Sequence, residues 1–309
     1  MATMAAMDDD SLTLRNLYHL GGIQQVVNDA TNPATMPKSE ASRKSRQVLL
    51  YRAYLAQGKY NMILGEIPSN SSDPEMNAIK IFARLQSITS SSSGDHAAAK
   101  EEASSSMKQL IGGGEASPTL LVVAGTLFFH LGEYEEVLRV AVRNPRHLES
   151  VALAVQAYLK LDRLDLAKKE VASLKSWADD ATLAQLVEAW VNLTIAGDQK
   201  VQEAFYIFEE LAGSTVITAK LLTGQAVCRM HAGKFAEAET LLLDALNRNN
   251  SDSEVLANLM VCSAALGNPP DVVSRYLNLL RDVAPQHPLV LEYASKGAMF
   301  DRAAGRFSI

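Results

Sequence analysis

Gly233, Phe235 and Ala238 in HAGKFAEAETLLLDAL recur 34 positions later as Gly267, Pro269 and Val272 in ALGNPPDVVSRYLNLL. A recurrence of this length marks one supersecondary unit, a helical hairpin, that cannot bury its apolar face alone and must stack against neighbouring copies. The constraint is severe. A chain built this way forms a long surface of repeated units and seldom a catalytic pocket.

Setting the phase on the turn glycine, which ends a first helix where positive φ is favoured, places candidate turns at Gly22, Gly58, near Ser92, and at Gly132, Asp162, Gly197, Gly233 and Gly267. Eleven residues before the later turns stand Leu121, Val151, Leu186, Leu222 and Leu256, an aliphatic column suited to packing between hairpins. The second helices carry Val137, Ala167, Ala204, Ala238 and Val272 where the two helices cross. The period is that of tetratricopeptide repeats. The predicted fold is all-α, a right-handed tetratricopeptide-like superhelix of about eight helical hairpins plus a C-terminal helix.

A solenoid adds length by stacking, so residues 1–309 read as a single α-solenoid domain. Within it, 87–106 (SITSSSSGDHAAAKEEASSS) reads as a flexible serine-rich insertion or loop with a short helix in HAAAKEEA, and 287–309 reads as a C-terminal closing helix. The polar stretches 31–47 and 68–74 read as loops or frayed helix ends. Phe300 and Phe307 keep the last helix apolar where a terminal repeat normally presents a polar face. They either pack on the preceding pair or contact another chain.

Composition narrows the function. A net charge of −6 disfavours a nucleic-acid groove, which needs a concentrated basic face. The start MATMAAMDDDS has no basic and apolar signal regions, and the longest apolar run, TLLVVAGTLFF, is about half the roughly twenty residues of a membrane span. The expectation is a cytosolic protein that meets a membrane only through a partner. Cys228 and Cys262 occupy the same point of adjacent repeats, where packed helices lie roughly 8–10 Å apart. That exceeds the usual disulfide reach, so two reduced, buried thiols are expected.

Chemistry-bearing motifs are missing. His19, His130 and His231 each precede a turn glycine by two residues and are explained by repeat phase, and no H-x-x-x-H or C-x-x-C spacing occurs. GGGEAS at 112–117 lacks the Gly-Lys-Ser/Thr ending of a phosphate loop and reads as an interhelical connector. No nucleophile elbow or phosphotransfer signature appears. The reading is a non-enzyme with no cofactor, no metal, no small-molecule substrate and a protein partner.

The first helix of each pair faces the concave side, and helical spacing from the turn phase gives its inner positions. They include Val122 and Phe129, then Leu159, then Val187 and Val191. The later helices add Lys220, Thr223, Val227 and Met230, then Ala257 and Val261. Charge enters this surface only at Glu149, Lys220 and Glu254. So long an apolar strip is expected to be covered, either by a partner chain or by neighbouring repeats. A co-chaperone groove that grips a peptide carboxylate needs several fixed cations. Here only Lys220 and nearby Asn258 qualify.

Six segments, LLYRAYLAQGKYNMILGEI (49–67), YLKLDRLDLAKKEVASL (158–174), DDATLAQLVEAWVNL (179–193), QEAFYIFEELA (202–212), GQAVCRMHAGKFAEAETLLLDAL (224–246) and LGNPPDVVSRYL (266–277), together resemble the epsilon subunit of coatomer, the COPI vesicle coat. The resemblance implies a structural subunit that binds and stabilises the C-terminal domain of the alpha coatomer subunit. It also implies a role in Golgi-to-ER retrograde and intra-Golgi transport, on the cytosolic face of Golgi membranes and COPI-coated vesicles. The alternative is a generic tetratricopeptide adaptor or co-chaperone of another cytosolic complex.

Overall fold

A computed structural model describes residues 9–68, 71–90, 95–214 and 216–307. Among them are seventeen α-helices, one short 3₁₀ turn and no strand. The chain divides into two compact units, Met1–Ile195 and Ala196–Ile309, where the sequence reading has one continuous domain.

The first unit holds α1 (Asp9–Leu20), α2 (Ile23–Thr31), α3 (Glu40–Ala56), α4 (Tyr60–Glu66), α5 (Pro74–Thr89) and α6 (His96–Gly112). It continues with α7 (Pro118–Leu131), α8 (Tyr134–Val142), α9 (Leu148–Lys160), α10 (Leu164–Ala178) and α11 (Thr182–Ile195). Consecutive helices pack as hairpins, and first helices also pack on one another, α3 on α5, α5 on α7, α7 on α9 and α9 on α11. A contact of α1 with α11 spans the unit from its first helix to its last. That return is why 1–195 is compact by itself and not merely the front of a uniform stack.

The second unit holds α12 (Asp198–Ser214), α13 (Ala219–His231), α14 (Phe235–Arg248), α15 (Ser253–Ala265), α16 (Pro270–Val283) and α17 (Pro288–Ala304). Its core gathers Ala226, Ala238, Leu242, Leu256 and Leu259. Cys228 and Cys262 are buried there as free thiols. Cys262 Sγ donates to the Phe235 carbonyl at 3.1 Å, which satisfies it without a second sulfur.

The turn column is left-handed at Gly58, Gly132, Gly197, Gly233 and Gly267, and also at Asp162 (φ 58), where a short polar side chain tolerates the conformation. At the first turn the left-handed residue is Gly21, one position earlier than the phase predicts, while Gly22 precedes α2 with negative φ. The position near Ser92 lies outside the described residues. Helix starts follow local chemistry. Asp73, Asp95, Ser117, Thr218 and Asp252 each accept backbone N–H bonds at an N-cap, with proline entering the first turn of α5, α7, α16 and α17.

The serine-rich segment corrects the sequence reading. From the Asp95 cap, α6 runs for 17 residues and buries Ala99, Ala103 and Met107, spaced by four, on a face that packs against α5 and α7. Ser104 is buried in that helix. The apolar stripe is sparse enough to be hidden by the surrounding serines, yet it suffices once a neighbour covers it. The 31–47 stretch is likewise half helix, and Arg46 anchors it. From α3, its Nε donates to the Ala30 carbonyl at 3.1 Å, with further bonds to the Asp29 and Thr35 carbonyls. Its charge thereby caps the C-terminal end of α2.

Candidate binding surface

In the first unit the inner face is closed by the chain's own helices. Val122 on α7, Val187 and Val191 on α11, and Ala152 on α9 are all buried. Glu149, read from sequence as a charged inner position, lies in the first turn of α9 and points to α3, where Arg52 Nη2 donates to its Oε2 at 2.7 Å. His19 Nε2 on α1 stands 3.7 Å from the other carboxylate oxygen. The Arg52 guanidinium also lies 4.8 Å from the centre of the Tyr18 ring. Burial pushes the Glu149 pKa up, but Arg52 and His19 outweigh it and hold the carboxyl at about 2. Arg52 is correspondingly raised. Around this pair a small polar pocket is lined by Arg15, Ser45, Thr119 and His147, and Arg15 Nη2 donates to Ser45 Oγ at 2.9 Å. Burial pushes His147 down and favours its neutral form.

Of the remaining sequence-picked residues in this unit, Phe129 is half-buried, its ring edge-on to Tyr134 at 5.4 Å, and Leu159 is half-buried on α9. The question left open from sequence, what covers the apolar strip, has a local answer here: neighbouring helices do. Arg52, Arg15, His19 and His147 escaped the sequence reading as a group because no period relates α1 and α3 to α9.

The second unit differs. On α13, Lys220 is exposed, while Thr223, Val227 and Met230 are half-buried. On α15, Ala257 is buried and Val261 is 44% exposed. Thr223 Oγ1 returns its proton to the Ala219 carbonyl at 2.8 Å, so this face offers apolar surface with few free donors. Asn258, a candidate donor for a carboxylate, instead gives its side-chain N–H to the Glu254 carbonyl at 2.8 Å. A carboxylate grip has little to work with. Among the described residues no cluster of His, Cys, Asp and Glu could hold a metal ion, and no helix is long and apolar enough to cross a membrane.

Comparison with known proteins decides the family. The profile of the coatomer epsilon subunit matches residues 7–308. The chain belongs to the coatomer epsilon subunit family. It is 36% identical over the full length of both chains to coatomer subunit epsilon-1 of Arabidopsis thaliana. It is 32% identical to coatomer subunit epsilon of Dictyostelium discoideum, over 98% of this chain and all of that one. A solved tetratricopeptide repeat protein from Parabacteroides merdae shares the fold at 14% identity, with a TM-score of 0.58 over 87% of this chain and 96% of that one. The coatomer epsilon family member described here is thus an all-helical, tetratricopeptide-like subunit of the COPI coat and not an enzyme.

Proposed function

We propose that this coat protein binds and stabilises the C-terminal domain of the alpha coatomer subunit, and that the inner face of α13 and α15 is the surface that does so. In this reading the protein works on the cytosolic face of Golgi membranes and COPI-coated vesicles, in Golgi-to-ER retrograde and intra-Golgi transport. It reaches the membrane through the coat. The observation that carries the assignment is the contrast within the chain. Val122, Val187 and Val191 are spent on internal packing, whereas Val227, Met230 and Val261 remain accessible on an apolar face. Lys220 and Thr223 stand at its polar margin, and buried Ala257 would serve by letting the partner approach closely. In the first unit, taken by itself, Phe129 and Leu159 are the inner residues left half-buried.

The pairing of Glu149 with Arg52 inside the first unit and the engaged Asn258 favour a lasting apolar partner over a passing charged peptide. Titration calorimetry of the recombinant C-terminal domain of the alpha subunit against Val227→Glu and Val261→Glu tests this. Each substitution places an unpaired charge in the interface and is expected to weaken binding tenfold or more, about 1.4 kcal/mol at least. Val261 is solvent-accessible already, so its variant keeps the fold. Unchanged affinity in both folded variants would remove the surface from α13 and α15.

A further inference from the structure

α17 packs on the rest of its unit chiefly through its beginning, and beyond that the Arg281 guanidinium of α16 lies 5.9 Å from the centre of the Tyr293 ring. Val290 is buried and Leu289 packs on the core, and from Leu291 to the end of the helix every residue is exposed. The uncovered part has an ordered pattern. Tyr293, Phe300 and Phe307 are spaced by seven and are 51%, 73% and 85% exposed, the last lying just beyond the helix end. Gly297 and Ala304 each follow the preceding aromatic by four, so aromatic and small residues alternate along one helical stripe. Space above Gly297 is open, with nothing within 4 Å of where a Cβ would lie. The stripe continues the face that Leu289 and Val290 use to pack, and beyond the Arg281 contact at Tyr293 it is a packing surface that its own unit leaves uncovered.

We propose that this stripe pairs with the same stripe of a second copy of the chain, the two α17 helices running antiparallel. The pattern is its own complement in that direction. With the two-fold axis between Ala298 and Met299, Phe300 of each copy lies over Gly297 of the other and Tyr293 over Ala304, so these layers each join a ring to a small residue, while Phe307 falls level with the helix start of the other copy at Val290. Parallel pairing in register would set ring on ring and leave a gap at each glycine, which close packing disfavours. Charge agrees with the antiparallel sense. It brings Glu292 level with the basic end, Arg302 and Arg306, of the other helix and opposes the two helix dipoles. A hetero-partner needs no such internal symmetry, whereas an isologous contact requires one surface to complement itself.

A 17-residue helix is roughly 25 Å long. Two such faces bury less than the roughly 800 Å² per partner of a standard stable interface. The pairing is therefore weak in the free chain, with micromolar dissociation.

Sedimentation velocity of the full chain from about 1 to 200 µM reads this directly. Wild type is expected to shift from monomer towards dimer with concentration, while Phe300→Asp and Gly297→Phe stay monomeric at every concentration. The exchange Gly297→Phe with Phe300→Gly keeps composition and re-creates a ring-on-glycine layer, so it should recover self-association. Wild type monomeric at 200 µM, or self-association undiminished in Phe300→Asp, would overturn the proposal. So would a monomeric wild type in which Phe300→Asp instead weakens binding to the C-terminal domain of the alpha chain, since the stripe would then serve that partner.

Discussion

Arg52 Nη2 lies 2.7 Å from Glu149 Oε2 although 97 positions separate the two residues. Their side chains are only 14% and 10% exposed, so this ion pair stands between helices α3 and α9 with little water to screen it. Removing one partner leaves the other charge buried and uncompensated, and that loss exceeds what the intact pair contributes over an apolar replacement. Glu149→Leu is expected to destabilise the first unit by about 3 kcal/mol, and the double variant Arg52→Met with Glu149→Leu to recover most of it. Urea unfolding of the four proteins of this cycle measures the coupling. A loss in the double variant equal to the sum of the two single losses would show that the pair acts as two independent residues.

The same pair sets an acid limit. In the fold the Glu149 carboxyl titrates at about 2, below its ordinary 4.5, so the folded state binds this proton more weakly than the unfolded chain does. The stabilisation is complete above pH 4.5 and is lost as pH falls towards 2, an amount on the order of 3 kcal/mol. His147 acts in the same sense below its ordinary 6.5, because burial lowers its pKa in the fold. Thermal melts of wild type and Glu149→Gln followed by circular dichroism should differ most near pH 6 and converge as the pH approaches 2. A constant gap across that range would contradict the assignment.

Gly224 on α13 faces Phe208 on α12 so closely that a Cβ there would meet the ring's Cε1 at 2.7 Å and Cδ1 and Cζ at 2.8 Å. In an exposed helix interior, Gly→Ala would stabilise by about 1 kcal/mol. Here Phe208 is 3% exposed and has no free space to swing into, so overpacking wins. Gly224→Ala is expected to destabilise by about 1–3 kcal/mol. Pairing it with Phe208→Leu should relieve the clash and shrink the loss, as differential scanning calorimetry would register.

What could be read from the chain divides along the same physical line. Gly132, Gly233 and Gly267 are left-handed turns, and Leu121, Leu186 and Leu256 are buried, because a stacked repeat imposes these roles at fixed local spacing. The apolar inner strip was equally legible at Val122, Val187 and Val227. Which of these positions the fold itself would bury was not, since that depends on α1 returning to α11. The Arg52–Glu149 pair has no period to announce it. The α6 helix was obscured differently, by serines whose individual preferences favour turns and caps while Ala99, Ala103 and Met107 supply the packing.

Cys228 and Cys262 give a readout of the second unit alone. Both are at most 1% exposed. Burial pushes the Cys228 thiol up to about 12 and raises Cys262, so neither forms appreciable thiolate near neutral pH. The thiolate is the nucleophile, and both access and charge state therefore suppress reaction. With a chromogenic disulfide reagent at pH 8, the native protein is expected to show no fast-reacting thiol, and both cysteines to react at once in denaturant. The slow native rate then reports opening of the helices around α13 and α15. Gly224→Ala, by loosening α13 against α12, should accelerate labelling of Cys228 more than that of Cys262. Mass spectrometry of the labelled peptides distinguishes them, and equal acceleration would mean that the unit opens as a whole.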